Sequence, residues 1–451
     1  MTSSAAADRT SYAPEWQTPA GTVRGWRDGA VLRATGIRYA TAERFAEAVP
    51  EPAASQTIDA TTWAPACPQP ESPTLDAACH EPMGGMTYDE DCLRVSVTVP
   101  ADIAPDEKLP VMVWIHGGAY RIGAPDAPIF DPAPMVAEQR VVWVAVGYRL
   151  GVLGYLRLDG TPANLGLLDQ LEALRWVRRN IASFGGDETD VTLIGQSAGG
   201  DAVAHLMIGQ RDERLFEKAI VMSAPLGITS GRAPMLAAMK DVVQRHVRDP
   251  HTAPVEDLVA VQEAIVEAAQ PFGLVAAMQF GVEYGQHPLP AESEVDAAWR
   301  AVAPDVPLLI GATDREVALY AAVMPPLIKL SKVPGVGSAL VASMVRVLTW
   351  RIFGGAAASF AGRHRRAGGR GNRYSIVWGA PGNPFDGAHV IDMPLLFGTE
   401  ESWGPAPMLD GLSWPEVAAA GRTVRQMWGD FVRAGELPRT RKWGLISVRP
   451  L

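Results

Sequence analysis

The chain has 451 residues, of which 47% are hydrophobic and 20% charged, a composition typical of folded globular proteins rather than disordered or fibrous ones. Its 40 basic and 50 acidic residues give a net charge of −10 and an isoelectric point near 5.4. Nucleic-acid-binding proteins usually carry a basic surplus, so this balance disfavours a nucleic-acid partner.

The sequence also lacks the usual marks of a membrane or secreted protein. No uninterrupted apolar run reaches about 18 residues, so we expect no membrane span. The N-terminus has no basic start followed by an apolar stretch, which predicts no secretory signal and a cytoplasmic location by default. The three cysteines, at positions 67, 79 and 92, are too few for a disulfide scaffold and lack the histidine spacing of a zinc site.

Apolar runs alternate with helical repeats along most of the chain. After a weakly ordered tail expected over residues 1–20, buried strands are predicted at 109–115, 141–146, 191–194, 219–222, 306–310 and 374–378. Helices are predicted at 167–184 and 198–207. Continuous apolar strands separated by helices indicate a mostly parallel, twisted sheet with helices on both faces. We therefore expect one α/β domain over 21–451, with a Gly/Ala-rich helical segment at 320–370 lying over the carboxyl edge of the sheet like a cap.

A candidate nucleophile lies where a predicted strand meets a predicted helix. The run Gly195-Gln-Ser197-Ala-Gly199 matches the pattern G-x-S-x-G, in which a serine sits on a strained strand-to-helix turn that only small neighbours allow. Such a turn exposes the serine Oγ and directs the N–H of Ala198 towards a developing oxyanion. The strand before the motif and the helix after it favour a functional serine over a chance match to the pattern.

A second motif, His116-Gly-Gly118-Ala119, follows the predicted strand at 109–115. Small residues at the end of a strand allow backbone N–H groups to turn outwards, as an oxyanion hole requires. An ordinary glycine turn is the alternative, but the pairing with the serine motif favours the oxyanion hole.

With these two motifs, the chain resembles the type-B carboxylesterase family of α/β-hydrolases, especially its bacterial members. The resemblance covers nearly the whole chain and implies the α/β-hydrolase fold. Further matching stretches are Glu90-Asp-Cys-Leu93, Tyr148-Arg-Leu-Gly-Val-Leu-Gly154, Asn164-Leu-Gly-Leu-Leu-Asp-Gln170, Phe184-Gly-Gly-Asp187 and Trp428-Gly-Asp-Phe-Val-Arg-Ala-Gly435.

The resemblance implies a catalytic triad in the chain order Ser, Glu, His. In the family the acid follows a strand of the type that precedes Glu316, and the histidine heads a stretch like the one after His389. Only His364 and His389 follow Glu316, and His364 lies in an arginine run typical of solvated surface. Asp314 remains the alternative acid.

The implied mechanism needs neither a metal nor an organic cofactor. His389 takes the proton of Ser197 as general base, and Glu316 orients the imidazole. The N–H groups of Gly118, Ala119 and Ala198 hold the oxyanion, and an acyl group is carried on Ser197 until water releases it.

Several positions depart from the family or carry further expectations from it. Gln196 replaces a common glutamate, which predicts no preference for cationic esters. Arg121 is expected to pair with a surface acid such as Asp126, with contact to an anionic substrate as the alternative. Cys67 and Cys92 match a pair that forms a disulfide in secreted members and are expected to be reduced here.

The predicted function is therefore that of a serine carboxylesterase with a small-molecule ester substrate, acting as a monomer or weak homo-oligomer. The resemblance also implies a buried ion pair between Arg149 and Asp169. One alternative is a biosynthetic enzyme that uses the same triad for deacylation, acyl transfer, lactonisation or cyclisation of a natural product. A remoter one is a non-catalytic binding protein, which would require Glu316 or His389 to face away from Ser197.

Overall fold

The described part of the chain is organised around one sheet of eleven strands. The structure, a computed structural model, describes residues 13–210, 213–438, 441–442 and 444–451. The strands of this sheet are, in chain order, β1 (Trp26–Asp28), β2 (Val31–Arg38), β3 (Arg94–Pro100), β4 (Leu109–Ile115), β5 (Val142–Val146), β6 (Gly186–Gln196), β7 (Lys218–Met222), β8 (Leu308–Thr313), β9 (Gly371–Ile376), β10 (Arg441–Lys442) and β11 (Ile446–Pro450). Their order across the sheet is β10, β11, β9, β8, β7, β6, β4, β5, β3, β2, β1.

The middle of the sheet is parallel and both flanks are antiparallel. Strands β5, β4, β6, β7, β8 and β9 pair in parallel with their neighbours. Strands β3, β2 and β1 on one side, and β11 and β10 on the other, pair antiparallel. Every residue of β5 and β8 is buried, so both faces of the sheet are covered. This confirms the mostly parallel α/β sheet that the apolar runs predict.

Helices fill the connections between the strands. They are Pro73–Ala78, Ala133–Gln139, Gly151–Tyr155, Leu165–Asn180, Ala198–Gly209, Ala233–His246, Val255–Ala269, Val295–Val302, Ala318–Val323, Pro325–Ser331, Gly337–Thr349, Gly355–Arg366, Met393–Phe397, Glu400–Trp403 and Trp414–Ala434. The last one shows how the sequence sets helix ends: Ser413 and Glu416 form a capping box at its start, and Gly435 at φ 69° ends it.

The predicted elements differ from the observed ones mainly at their ends. The helix predicted at 167–184 is Leu165–Asn180, followed by a 3-10 turn, Ile181–Phe184. Strand β6 begins at Gly186, five residues before the predicted start at Val191. Its first part is polar and partly exposed, and its pairing with β4 shifts register before Val191. An apolar-run criterion finds only the buried second half of such a strand.

The structure contradicts the second part of the weakly ordered tail predicted over residues 1–20. Residues Glu15–Thr18 form a strand that pairs antiparallel with Gly21–Arg24, so they are not a weakly ordered tail. This pairing is local, because the hairpin needs only the turn between the two strands. The remainder of that prediction, residues 1–12, lies outside the described residues.

The segment at 320–370 is helical, as predicted. It contains Pro325–Ser331, Gly337–Thr349 and Gly355–Arg366, with a π-helical turn at Trp350–Gly354. It packs against the histidine of the candidate site, since the ring centroid of Phe353 lies 5.2 Å from that of His389.

Two helical stretches, Val255–Ala277 and Gly337–Arg366, are long and apolar enough, by length and composition alone, to cross a membrane. Core helices of water-soluble proteins meet the same criterion, so this is weak support for a span. The expectation of no membrane span stays a prediction. Of the 18 consecutive residues that make the second stretch meet this criterion, only 22% are buried, so most of them face outwards.

Candidate active site

Ser197 lies on a sharp turn between β6 and the helix Ala198–Gly209. Its backbone has φ 57° and ψ −124°, a conformation that costs a non-glycine residue free energy. The flanking glycines make the turn possible. A Cβ at Gly195 would lie 2.4 Å from the carbonyl carbon of Gly199, and a Cβ at Gly199 would lie 2.0 Å from the carbonyl oxygen of Ile115. The strand-turn-helix context predicted for G-x-S-x-G is therefore present.

The serine, a histidine and a carboxylate form one hydrogen-bonded chain. His389 Nε2 lies 2.8 Å from Ser197 Oγ, and His389 Nδ1 contacts Glu316 Oε2. The backbone N–H of Thr313 donates to Glu316 Oε1 at 2.7 Å, and the N–H of His389 donates to the Glu316 carbonyl oxygen at 3.0 Å. Both Glu316 oxygens are thus engaged in a fully buried position. The structure brings together the three side chains named from the sequence.

The fold also separates these residues from their alternatives. Asp314 lies against Gly387: a Cβ at Gly387 would be 2.5 Å from Asp314 Oδ1. Burial raises the pKa of Asp314. Glu316 occupies the position against His389. His364 is buried rather than solvated, contrary to the interpretation of its arginine-rich surroundings, and burial lowers its pKa to about 4. It is buried because it faces inwards from an amphipathic helix, Gly355–Arg366, whose arginines lie on either side.

The glycine loop after β4 lies directly against the serine. A Cβ at Gly117 would lie 3.0 Å from the Cβ of Ser197. Gly118 at φ 113° and Ala119 at φ 55° turn the loop through the left-handed region. Within the described residues, the backbone N–H groups of Gly118, Ala119 and Ala198 donate no hydrogen bond. Ala198 adjoins Ser197 in the chain, and Gly118 and Ala119 directly follow Gly117, so these three unpaired N–H groups are the candidate donors to an oxyanion.

Two aromatic residues near His389, Tyr320 and Phe353, are not among the residues selected from the sequence. Tyr320 and Phe353, both from the helical region after β8, lie with ring centroids 6.5 Å and 5.2 Å from that of His389. Gln196 Nε2 lies 3.4 Å from His389 Nε2. Contacts of this kind depend on the tertiary fold, and no local pattern marks them.

A second buried carboxyl group lies close to the triad. Asp392 is fully buried, and its Oδ2 accepts a hydrogen bond of 3.4 Å from Ser223 Oγ. Its Oδ1 has no partner among the described residues. Burial, reinforced by the negative charge of Glu316, raises the pKa of Asp392 to about 7.

Arg121 does not form the expected ion pair with Asp126. Asp126 is turned inwards, where it accepts hydrogen bonds from Ser96 Oγ at 2.7 Å and from the N–H of Ala64 at 2.8 Å. The Nε of Arg121 is buried without a partner in the described part of the chain, and burial lowers the pKa of its guanidinium group. The buried ion pair of Arg149 with Asp169, by contrast, is present at 2.6 Å.

The cysteines are buried free thiols. A hydrogen bond with Cys67, together with burial, raises the pKa of Cys92. Cys67 Sγ also accepts a hydrogen bond of 3.3 Å from the N–H of Leu150. Across the described residues, no group of three or more His, Cys, Asp or Glu side chains is arranged to hold a metal ion.

Comparison with known proteins agrees with this fold over nearly the whole chain. The chain is 37% identical to the probable N-octanoylanthranilate hydrolase of Rhodococcus erythropolis over 423 residues, covering 93% of this chain and 92% of that protein. It is 31% identical to the para-nitrobenzyl esterase of Bacillus subtilis, over 93% of this chain and 89% of that one.

Solved structures give the same result. A thermophilic PNB esterase matches with a TM-score of 0.77 at 30% identity, over 93% of this chain and 91% of its own. A carboxylesterase of Geobacillus stearothermophilus matches with a TM-score of 0.75 at 26% identity, over 94% of this chain and 92% of its own. The sequence model of the carboxylesterase family matches residues 12–334. The chain therefore belongs to the carboxylesterase family, has the α/β-hydrolase fold and is a carboxylic ester hydrolase.

Proposed function

We propose that the protein is a serine carboxylesterase that hydrolyses carboxylic esters through an acyl-enzyme on Ser197. The observation that carries this proposal is the hydrogen-bonded chain from Ser197 Oγ through His389 to Glu316. Neither Glu316 nor His389 faces away from Ser197, which argues against a non-catalytic binding protein.

In this mechanism, His389 Nε2 removes the proton of Ser197 Oγ as the oxygen attacks the ester carbonyl carbon. The oxygen lies 2.8 Å from Nε2, which is within reach for direct proton transfer. Glu316 contacts Nδ1, so it fixes the tautomer in which Nε2 is free to accept the proton, and it stabilises the imidazolium that results.

The negative charge of the tetrahedral intermediate falls on the former carbonyl oxygen. The unpaired N–H groups of Gly118, Ala119 and Ala198 are the donors proposed to hold it, each contributing on the order of 3 kcal/mol. His389 then protonates the leaving alcohol. Water attacks the acyl-enzyme with His389 again as base, and the acid product leaves Ser197 free.

Hydrolysis of p-nitrophenyl esters from acetate to octanoate tests this proposal. Wild-type protein is expected to release p-nitrophenol, and Ser197→Ala is expected to lose this activity without loss of fold. Ser230→Ala, which alters an exposed serine, serves as the matched control and should retain wild-type turnover. Hydrolysis by Ser197→Ala at the wild-type rate would show that Ser197 is not the nucleophile.

A second candidate concerns the charge of the substrate. The relative from Rhodococcus erythropolis is named for N-octanoylanthranilate, which carries a carboxylate. Arg121 follows the loop that bears Gly118 and Ala119, and its Nε is buried without a partner among the described residues. A guanidinium Nε that is buried without a partner favours an anionic ligand. We therefore infer that anionic N-acyl or O-acyl arenes are substrates and that Arg121 binds their carboxylate.

This candidate is tested by comparing N-octanoylanthranilate with p-nitrophenyl octanoate. Arg121→Gln is expected to lower kcat/KM for the anionic compound by about 10- to 100-fold, while the neutral ester is little affected. Arg121→Lys, which keeps the charge, is expected to recover part of the loss. An equal loss for both compounds would instead indicate that Arg121 supports the oxyanion loop.

A further inference from the structure

The exposed hydrophobic side chains of the protein are concentrated in one segment. Twelve large hydrophobic side chains are exposed in the described part of the chain, and eight of these lie between positions 320 and 350. We name seven of them the apolar face: Met324, Leu330, Val333, Val336, Leu340, Val347 and Trp350. Water-soluble proteins rarely keep so dense a group of exposed apolar side chains unless it contacts a partner.

The apolar face follows the helical repeat. Val336, Leu340 and Val347 are spaced by four and seven residues, which places them on one side of the helix Gly337–Thr349. Val345 and Thr349, on the opposite side, are buried against the body of the protein. Apolar residues therefore lie on the side of this helix that faces solvent as well as on the side that faces the protein.

The same segment carries only positive charge. Between Glu316 and Asp386 the sequence has nine Lys or Arg residues and no Asp or Glu, in a chain whose net charge is −10. Four exposed basic side chains lie in the sequence beside residues of the apolar face and form no ion pair within the described residues. They are Lys329, Lys332, Arg346 and Arg351. Most arginines elsewhere in the protein do have acidic partners, as the pairs of Arg44, Arg140 and Arg175 show.

Exposed apolar side chains among unpaired cations, with no anion in the same segment, match the chemistry of an anionic lipid surface. Apolar side chains enter the boundary between headgroups and acyl chains, while Lys and Arg contact the phosphates. A second copy of this chain fits less well, because the same cationic segment would face itself across a symmetric contact. We propose that the apolar face and its flanking cations dock the protein on bilayers that contain anionic phospholipid.

Docking through this face would bring the active site close to the lipid. Tyr320 and Phe353 belong to the same helical region, and their rings lie against the imidazole of His389. Thr349 Oγ1 accepts a hydrogen bond of 3.2 Å from the N–H of Val317, the residue after Glu316. The inner side of the segment thus supports the triad, and its outer side presents the apolar face.

Flotation with vesicles tests the apolar part of the proposal. Wild-type protein is expected to float with vesicles of phosphatidylcholine and phosphatidylglycerol, and far less with phosphatidylcholine alone. Leu340→Ser/Val347→Ser is expected to weaken binding roughly tenfold or more, because two apolar side chains no longer leave water. Val49→Ser/Val377→Ser is the matched control, since its two side chains are 62% and 54% exposed, against 55% and 62% for the test pair.

A second pair of variants tests the basic side chains that flank the apolar face. Lys329→Gln/Lys332→Gln is expected to weaken binding to anionic vesicles roughly 30-fold, because each cation near such a surface contributes about a fivefold gain in affinity. Arg245→Gln/Arg248→Gln changes the net charge equally at another exposed site and should leave binding unchanged. Binding of the wild type should also weaken as salt rises.

Three results would overturn the proposal: no flotation of the wild type, equal binding by the test and control pairs, or a wild-type dimer that Leu340→Ser/Val347→Ser converts to monomer without any vesicle binding. Sedimentation velocity distinguishes the last case. Thermal unfolding monitored by circular dichroism checks that each variant is folded. Vesicle binding is measured without substrate and also on Ser197→Ala, so its outcome is independent of the proposed esterase mechanism.

Discussion

The buried carboxyl group of Asp392 is expected to make the stability of the protein fall as the pH rises. Burial, with the nearby charge of Glu316, raises its pKa from the ordinary value of 3.8 to about 7. The folded protein therefore holds a proton on Asp392 that the unfolded chain releases above about pH 4. Stability is fully present below the unfolded pKa and is lost as the pH rises towards 7, above which the loss is constant.

The size of this effect follows from the two pKa values. A difference of about 3 corresponds to about 4 kcal/mol, because each pH unit between them is worth about 1.4 kcal/mol. Asp392→Asn removes the titration and keeps the shape of the side chain. Its free energy of unfolding relative to wild type is therefore expected to rise by up to about 4 kcal/mol between pH 4 and pH 8.

Urea unfolding of wild type and Asp392→Asn at several pH values measures this difference directly. Asp126, whose pKa burial raises to about 6, affects both proteins equally and cancels. Asp410→Asn, at an exposed position, controls for the loss of one carboxyl group. A constant difference between wild type and Asp392→Asn from pH 4 to pH 8 would show that the pKa of Asp392 is the same in the folded and unfolded states, contrary to the prediction.

Three further substitutions test the site and its support. Glu316→Gln is expected to lower kcat for p-nitrophenyl esters roughly 10⁴-fold, because a neutral amide cannot stabilise the imidazolium. Asp314→Asn should keep a kcat near that of the wild type, and the opposite ranking would assign the acid to Asp314. Gly199→Ala forces a Cβ to within 2.0 Å of a carbonyl oxygen of β4, so we expect a loss of about 1–3 kcal/mol in the free energy of unfolding by urea, together with loss of most of the turnover. Wild-type values for both would contradict the tight strand-to-helix turn at Ser197. Asp169→Asn leaves the buried guanidinium of Arg149 without its counter-ion, 2.6 Å away in the wild type, and is expected to cost about 3–5 kcal/mol of unfolding free energy; a loss below about 1 kcal/mol would show that the pair is not structurally important.

The sequence predicts the centre of the site well because local rules determine it. Ser197 needs a strand, a tight turn and a helix within a few residues, and G-x-S-x-G after an apolar run describes all three. The glycines at 195 and 199 have no room for a side chain, so their identity reports the geometry directly. Strand β4 is observed at the predicted positions, because its apolar run is bounded sharply by turn residues.

Features that depend on distant parts of the chain are predicted less well. The assumption that Arg121 pairs with Asp126, five positions away, is wrong because Asp126 faces inwards to Ser96 and the backbone. His364 lies among arginines in the sequence, but one side of its helix is buried and the histidine is on that side. The orientations of the Asp126 and His364 side chains cannot be predicted from the neighbouring residues in the sequence alone.

The environment of His389 shows the same limit. Resemblance to a family names His389 itself, but Tyr320 and Phe353 become its neighbours only when the segments after β8 and β9 are folded together. Their sequence positions carry no motif. The helical character of 320–370 is predicted from composition, whereas the presence of an outward apolar side requires the packing of that helix to be known.

Trapping the acyl-enzyme shows whether Ser197 carries the acyl group during turnover. Protein mixed with a p-nitrophenyl ester, quenched with acid during the first turnovers and digested, is expected to yield a peptide containing Ser197 with the mass of one added acyl group. The same peptide from Ser197→Ala should remain unmodified. An acyl group on another residue, or release of acid product by Ser197→Ala at the wild-type rate, would show that Ser197 is not the nucleophile.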